Sequence, residues 1–275
     1  MSATRIAAPP APSTRTLTRR VPPGTAVRNT ATLAWRNLVQ IKHNPLELID
    51  LSIQPIMFVL LFAYVFGPVM AGSVEAYLPV VIPGMIAQNA LFAGITTGFG
   101  LNTDIAKGVF DRFRSLPISR SAPLAGRIVA DTARQAWSML VLLVVGFIIG
   151  FRVETSVPAL LMSFVLLLAF VVLFSWTPVY IALKVDQPEK VQIFGFVVIF
   201  PLSLLSTSLI PSTQGVPRPV AWIMAHNPVS HLGEGLRGLL VGGPVMDHAL
   251  TALAWGVGIS LVFAPLSLRA FKKRT

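Results

Sequence analysis

The sequence predicts an all-α integral membrane protein with six transmembrane helices. Two observations carry this. Only 12% of the 275 residues are charged while 54% are hydrophobic, and mean hydropathy is +0.72. A soluble domain carries about 25% charged residues. The apolar residues also gather into six charge-free runs: Leu51 to Val74, Ala76 to Thr103, Gln135 to Phe151, Thr155 to Leu183, Val191 to Pro217 and His248 to Leu268. Crossing a bilayer takes about 17–25 predominantly apolar residues, and each run reaches that length. A soluble protein with so large a core would need a polar exterior that this composition does not supply.

Charge sets the orientation. Of the 22 Lys and Arg residues, seven precede the first span, six lie between the second and third, two between the fourth and fifth, and four follow the sixth. Only Arg152, Arg218 and Arg237 fall in the other connections. Cytoplasmic loops carry such an excess, so both termini are expected in the cytoplasm of a multi-pass plasma-membrane protein. The net charge of +11 then faces anionic lipid rather than nucleic acid. No cysteine is present, which excludes disulfides and thiolate chemistry.

Each element follows in order. Residues 1–25, rich in Arg and Pro with no apolar core segment, read as a disordered cytosolic tail and not a signal peptide. Residues 26–275 form one transmembrane domain. Within it, 27–43 is amphipathic: Val27, Ala31, Ala34, Leu38 and Ile41 face one way, and Arg28, Thr32, Arg36, Gln40 and His43 the other. That pattern predicts a helix lying in the cytoplasmic interface. The spans are expected at about 47–70, 77–102, 126–151, 156–183, 190–211 and 248–268. Residues 217–241 are apolar but broken by Pro217, Pro219 and Pro228, with Trp222 and Ile223 among them. They predict a re-entrant helical hairpin on the outer side before the last span.

The missing motifs exclude several chemistries. No Lys follows a Gly, so there is no phosphate-binding loop of the GK type. The histidines His43, His226, His231 and His248 make no HExxH pair, so no metal site is expected. The six runs contain no Asp, Glu, Lys or Arg of the kind an ion-coupled carrier places at the midplane. Asp131 falls between Arg127 and Arg134 on one helix face, an ion-pair cluster at the membrane edge. Deeper polar residues are neutral. Gln88, Asn89 and Ser206 are candidates for a substrate path, against the ordinary role of such groups as interhelical hydrogen bonds. The architecture is a transporter's, without an energy source of its own.

One polar stretch, "GVFDRFRSLPISR", lies in the most basic loop. As a helix over 108–116 it aligns Val109, Phe110, Phe113 and Leu116 on one stripe, with Asp111 and Arg114 opposite. Gly108 permits a sharp turn into it and Pro117 stops it. So short a helix needs a surface to dock on, either lipid or a protein groove. Phe113 flanked by Arg112 and Arg114 suits a groove.

Three stretches carry a family resemblance: the amphipathic helix leading through "HNP" into the first span, "DIAKGVFDRFRSLPISRSAPLAGRIVAD" from Asp104 to Asp131, and "FPLSLLSTSLIP" followed by "VAWIMAHNPVSHLGEGLRGLL". In the last, Asn227, Pro228 and Arg237 match the family pattern. The sequence resembles ABC-2 type exporter permeases, especially the daunorubicin and doxorubicin resistance type. The resemblance implies a permease that is not itself an enzyme and binds no cofactor. ATP and Mg would sit on a partner ATPase subunit, and a second permease would complete the dimer. It further implies that Gly108, Val109, Phe110, Asp111, Arg112, Phe113, Arg114 and Leu116 form the coupling helix docked in the ATPase. The expected cargo is amphiphilic: a drug, polyketide, lipid or glycolipid. The alternatives are a polysaccharide-exporting permease of the same family and an ion-coupled secondary transporter.

Overall fold

A computed structural model describes the backbone of residues 45–109 and 122–274, with side chains from 52 to 109 and from 126 to 271. The predicted interfacial helix 27–43 and the positions Phe110 to Leu116 lie outside the described residues. Every regular element among the described residues is helical. In chain order they are α1 (Pro45–Leu61), a π-helical turn (Phe62–Phe66), α2 (Gly67–Ala71), α3 (Val74–Ala106), α4 (Ala122–Ile148), α5 (Val157–Phe174), α6 (Trp176–Lys184), α7 (Pro188–Leu204), α8 (Arg218–His226), α9 (Pro228–Val241) and α10 (Met246–Arg274).

Five stretches are long and apolar enough to cross a membrane: Ser52–Ala71, Val74–Ala106, Gly126–Ile148, Val157–Lys184 and Met246–Phe271. The sequence predicts a sixth over 190–211, but there the regular helix α7 has 17 residues and stops at Leu204. Its end has a local cause. Pro201 lies inside α7, and the helix closes three residues later, where the Leu205 N–H donates to the Pro201 carbonyl at 2.9 Å. Just beyond, the Ser206 hydroxyl accepts the Ser208 N–H at 3.1 Å, holding the chain in a tight non-helical turn.

α3 is the axis of the molecule. Ser73 caps it, its hydroxyl accepting the Ala76 N–H at 3.1 Å, and Glu75 sits favourably in the positive first turn. In its apolar stretch 67% of the residues are buried, against 11% in that of α10 and 22% in the first stretch. The other helices therefore wrap α3 and turn apolar faces outward. Tyr77, Ile82, Ile86 and Leu91 of α3 meet Met139 and Leu142 of α4, Leu167 and Phe170 of α5, and Leu232 and Leu236 of α9 in one core.

Inside a bilayer, apolar burial gives little drive for helices to associate, so close approach and hydrogen bonds do more of the holding. Gly84 is the tightest case. A Cβ there would lie 2.0 Å from the Ser208 carbonyl oxygen, so only glycine lets the 206–208 turn rest on α3. The Tyr77 hydroxyl donates to the Leu209 carbonyl at 2.6 Å on the same contact.

The predicted span at 156–183 is two helices, α5 and α6, joined at Ser175. Pro178 explains the break: it leaves a carbonyl one turn back without its usual donor. The predicted hairpin region 217–241 contains α8 and α9, divided at Asn227.

Candidate functional site

The candidate site is built from the helix ends that bracket the basic loop. At the C-terminus of α3, Gly108 adopts φ +67°, a left-handed conformation in which other residues are strained. The chain therefore leaves α3 in a sharp turn at Gly108, and Val109 follows. Across the loop, α4 returns with its charges aimed back at α3. The Arg127 guanidinium donates from Nη1 to Asp104 Oδ2 at 2.5 Å, and its Nε lies 3.7 Å from Asp131 Oδ2. Arg134 Nη1 donates to Asp131 Oδ1 at 2.7 Å. Two carboxylates and two guanidiniums make a neutral chain of charge that runs from the exposed Asp104 to the partly buried Asp131, so each ion has a partner.

The Arg127–Asp131–Arg134 cluster expected from sequence is therefore present. Sequence reasoning missed Asp104. It lies 23 positions from Arg127, across a loop, where helical spacing carries no information.

A second clamp holds the same end of α3. Asn102 is fully buried, and its Nδ2 donates to the carbonyls of Ala182 and Val185, both at 2.7 Å. Those are last-turn and post-helix carbonyls of α6, which its own helix cannot satisfy. The start of the basic loop is thus tied to both α4 and α6.

The three residues singled out for a substrate path are hydrogen-bonded within the protein. Gln88 is 5% exposed, its Nε2 donates to the Ser203 carbonyl at 3.0 Å, and its Oε1 accepts the Ser203 hydroxyl. Asn89 Nδ2 donates to the Ser138 hydroxyl at 2.7 Å. Ser206 is buried and accepts the Ser208 N–H. Gln88 and Asn89 thereby join α3 to α7 and to α4, while Ser206 shapes the turn after α7.

Asn227 has three partners. Its Nδ2 donates to the carbonyls of Leu202 at 2.7 Å and Leu205 at 2.6 Å, while its Oδ1 accepts the Val229 N–H at 2.9 Å. It caps α9, with Pro228 in the first helical position, and seals the unpaired end of α7 at once. Arg237 pairs with Glu234 one turn back on α9. A histidine pair was not expected: His231 Nδ1 lies 3.2 Å from His248 Nδ1, joining α9 to α10. Among the described residues no three His, Cys, Asp or Glu side chains converge to hold a metal.

Comparison with known proteins places this geometry in a family. Residues 28–241 match the family described as ABC-2 type transporter. The chain is 34% identical over 251 residues to the daunorubicin resistance ABC transporter permease protein DrrB1 of Streptomyces coeruleorubidus, covering 91% of this chain and 88% of that one. It is 28% identical over 240 residues to the probable doxorubicin resistance ABC transporter permease protein DrrC of Mycobacterium tuberculosis, covering 85% and 84%. A putative transport permease, ycf38 of Cyanophora paradoxa, is 25% identical over 211 residues, covering 74% and 71%. The chain is a multi-pass membrane permease that belongs to the ABC-2 type transporter family.

Proposed function

We propose that this permease exports an amphiphilic compound across the plasma membrane, driven by ATP hydrolysed on a separate ATPase subunit. The observation that carries this is the match over 91% of the chain to a permease named for daunorubicin resistance. A drug of that kind is the first cargo to try. The absence of any GK phosphate loop fits an energy source on another chain.

The coupling element in this reading is the helix 108–116. Its flanks support the assignment. Gly108 turns sharply out of α3, and the Asp104–Arg127 pair and Asn102 tie the loop's two ends to α4 and α6. A push on the loop would reach three helices. Val109, Phe110, Phe113 and Leu116 provide the docking stripe, with Asp111, Arg112 and Arg114 at its edges.

The membrane layout has six spans, α7 being the fifth, with a second permease completing the transporter. α7 has 17 residues, the lower limit for a crossing. The α8–α9 segment is re-entrant from the outer side. Two ties support that. At one end of α9, Thr155 donates to the Leu239 carbonyl at 2.5 Å, in the connection between α4 and α5. At the other, Asn227 reaches Leu202 and Leu205, beside Ser203, which is bonded to Gln88. Gln88 lies about 20 Å along α3 from Val74, at a rise of about 1.5 Å per residue. The tip at Asn227 would then lie near mid-membrane, covered by protein as irregular backbone at that depth must be.

The substitution Phe113→Asp tests the coupling assignment. A charged residue in the docking stripe should abolish co-purification of an ATPase subunit, or cut transport at least tenfold per ATP hydrolysed. Membrane insertion should be unchanged. Wild-type coupling in the variant would overturn the assignment.

A further inference from the structure

His231 and His248 meet where α9 rests on α10, and their bond makes a demand on protons. The two Nδ1 atoms are 3.2 Å apart and the ring centroids 5.5 Å apart. A hydrogen bond between two imidazole nitrogens needs one N–H and one bare lone pair. With both rings neutral, one Nδ1 carries a proton and donates to the other. With one ring charged, the imidazolium donates and the bond remains. With both charged, each Nδ1 carries a proton. The bond is then lost, and two cations stand face to face. Both side chains are partly exposed, so protons from water reach them.

The surrounding charges offer the pair little relief. The other ionisable groups that act on His231 are His226 on α8 and Glu234 on its own helix. His226 would add a third positive charge, and Glu234 is already paired with Arg237. Asp247, the residue before His248, is exposed, where water and salt screen its charge. α5 has no charged residue, and those of α3, Glu75 and Asp104, sit in its first and last turns. Arg152 and Glu154 lie in the α4–α5 connection, where the Glu154 N–H meets the Leu240 carbonyl at the far end of α9.

The rest of this contact is close packing. A Cβ on Gly235 would lie 3.5 Å from the Ala249 nitrogen, and one on Gly238 would lie 2.9 Å from the Val245 side chain. Apolar packing alone gives helices little drive to associate in a bilayer, so a polar tie counts for more.

We propose that the His231–His248 pair is a proton-operated latch between α9 and α10, closed while it holds at most one extra proton and open once it holds two. It works on these two helices whatever the chain exports. The unfolded chain takes both protons below about pH 6.5, and the closed latch does not. Stability is therefore full above that range and falls as pH drops through it.

Thermal unfolding of the purified full chain in detergent, followed by tryptophan fluorescence at about pH 7.5 and about pH 5.5, tests this. His248→Asn keeps a neutral polar group near the Nδ1 position and cannot become charged. Between the two pH values the wild-type Tm should fall by about 3–5 °C more than that of the variant. His231→Asn should remove the same excess, and it serves where His248→Asn does not fold. His226 titrates in all of these chains and so cancels in the comparison. The double variant should remove no more than either single one, because the excess belongs to the pair. Amide exchange at matched pH locates the opening. Residues 246–250 should exchange at least tenfold faster in the wild type than in His248→Asn at the acid pH, and no faster at the neutral one. Equal Tm losses in wild type and variants, additive effects of the two substitutions, or matched exchange at the acid pH would each overturn the latch.

Discussion

Asn227 concentrates the residue-scale logic of this protein. One amide satisfies two carbonyls at the end of α7 and one N–H at the start of α9. Replacing it with Ala leaves buried acceptors unmet, at about 1–3 kcal/mol each. Asn227→Ala should therefore lower the Tm of the purified chain in detergent, followed by tryptophan fluorescence, by about 5–10 °C, at about 2–4 °C per kcal/mol for a chain of this size. Asn227 and Pro228 stood out in the sequence as part of the family pattern, not as the cap and first helical residue that they form. The carbonyls that Asn227 serves, some 25 positions earlier, were not legible. Asp131 repeats the pattern. Its neighbours Arg127 and Arg134 follow from helical spacing, while Asp104 comes from another helix. Likewise Gln88 and Asn89 stood out as polar residues at depth, but only the positions of Ser203 and Ser138 decide that they join helices.

At the scale of elements, spans were legible where hydropathy alone decides them, and breaks were not. The run from Thr155 to Leu183 contains no charge, yet it holds two helices meeting at Ser175. The run from Val191 to Pro217 likewise ends its helix early, at Leu204. Pro178 is the signal that could have marked the first; Pro201 lies inside α7 and does not mark the second. Prolines also sit inside α3 and α10, which continue past them. The deciding factor is whether neighbours satisfy the freed carbonyls. At the end of α6 the neighbour is Asn102. Asn102→Leu removes both of its bonds and should cost about 2–4 kcal/mol, since two buried carbonyls lose their donor. Hydrogen exchange of the backbone around 182–188 should quicken at least tenfold, while that of α9 stays unchanged. Uniform quickening, or none, would show that the clamp is not local.

For the whole molecule, the charge asymmetry and the six apolar runs were enough to read an all-helical membrane protein, and the family match agrees with it. What they could not supply is the order of burial. α3 is the axis and α10 is mostly outside, although both are long and apolar. Two features of sequence distinguish them in hindsight. α3 carries polar side chains with partners on three other helices, and it has glycines where neighbours approach closely. The exposed apolar faces of α5, α7 and α10, including Leu161, Val165, Phe194, Val197 and Leu261, are suited to lipid and to a second permease. The helix ends that flank the basic loop are braced to α4 and α6, through Asp104–Arg127 and through Asn102.

The central claim is that energy reaches this chain from an ATPase through that loop. The most direct test is daunorubicin uptake into inverted vesicles from cells expressing the chain with its ATPase partner. Uptake should require ATP, stop when the ATPase is omitted, and fall at least tenfold with Phe113→Asp. Uptake that persists without ATP, sustained by an ion gradient alone, would contradict the account.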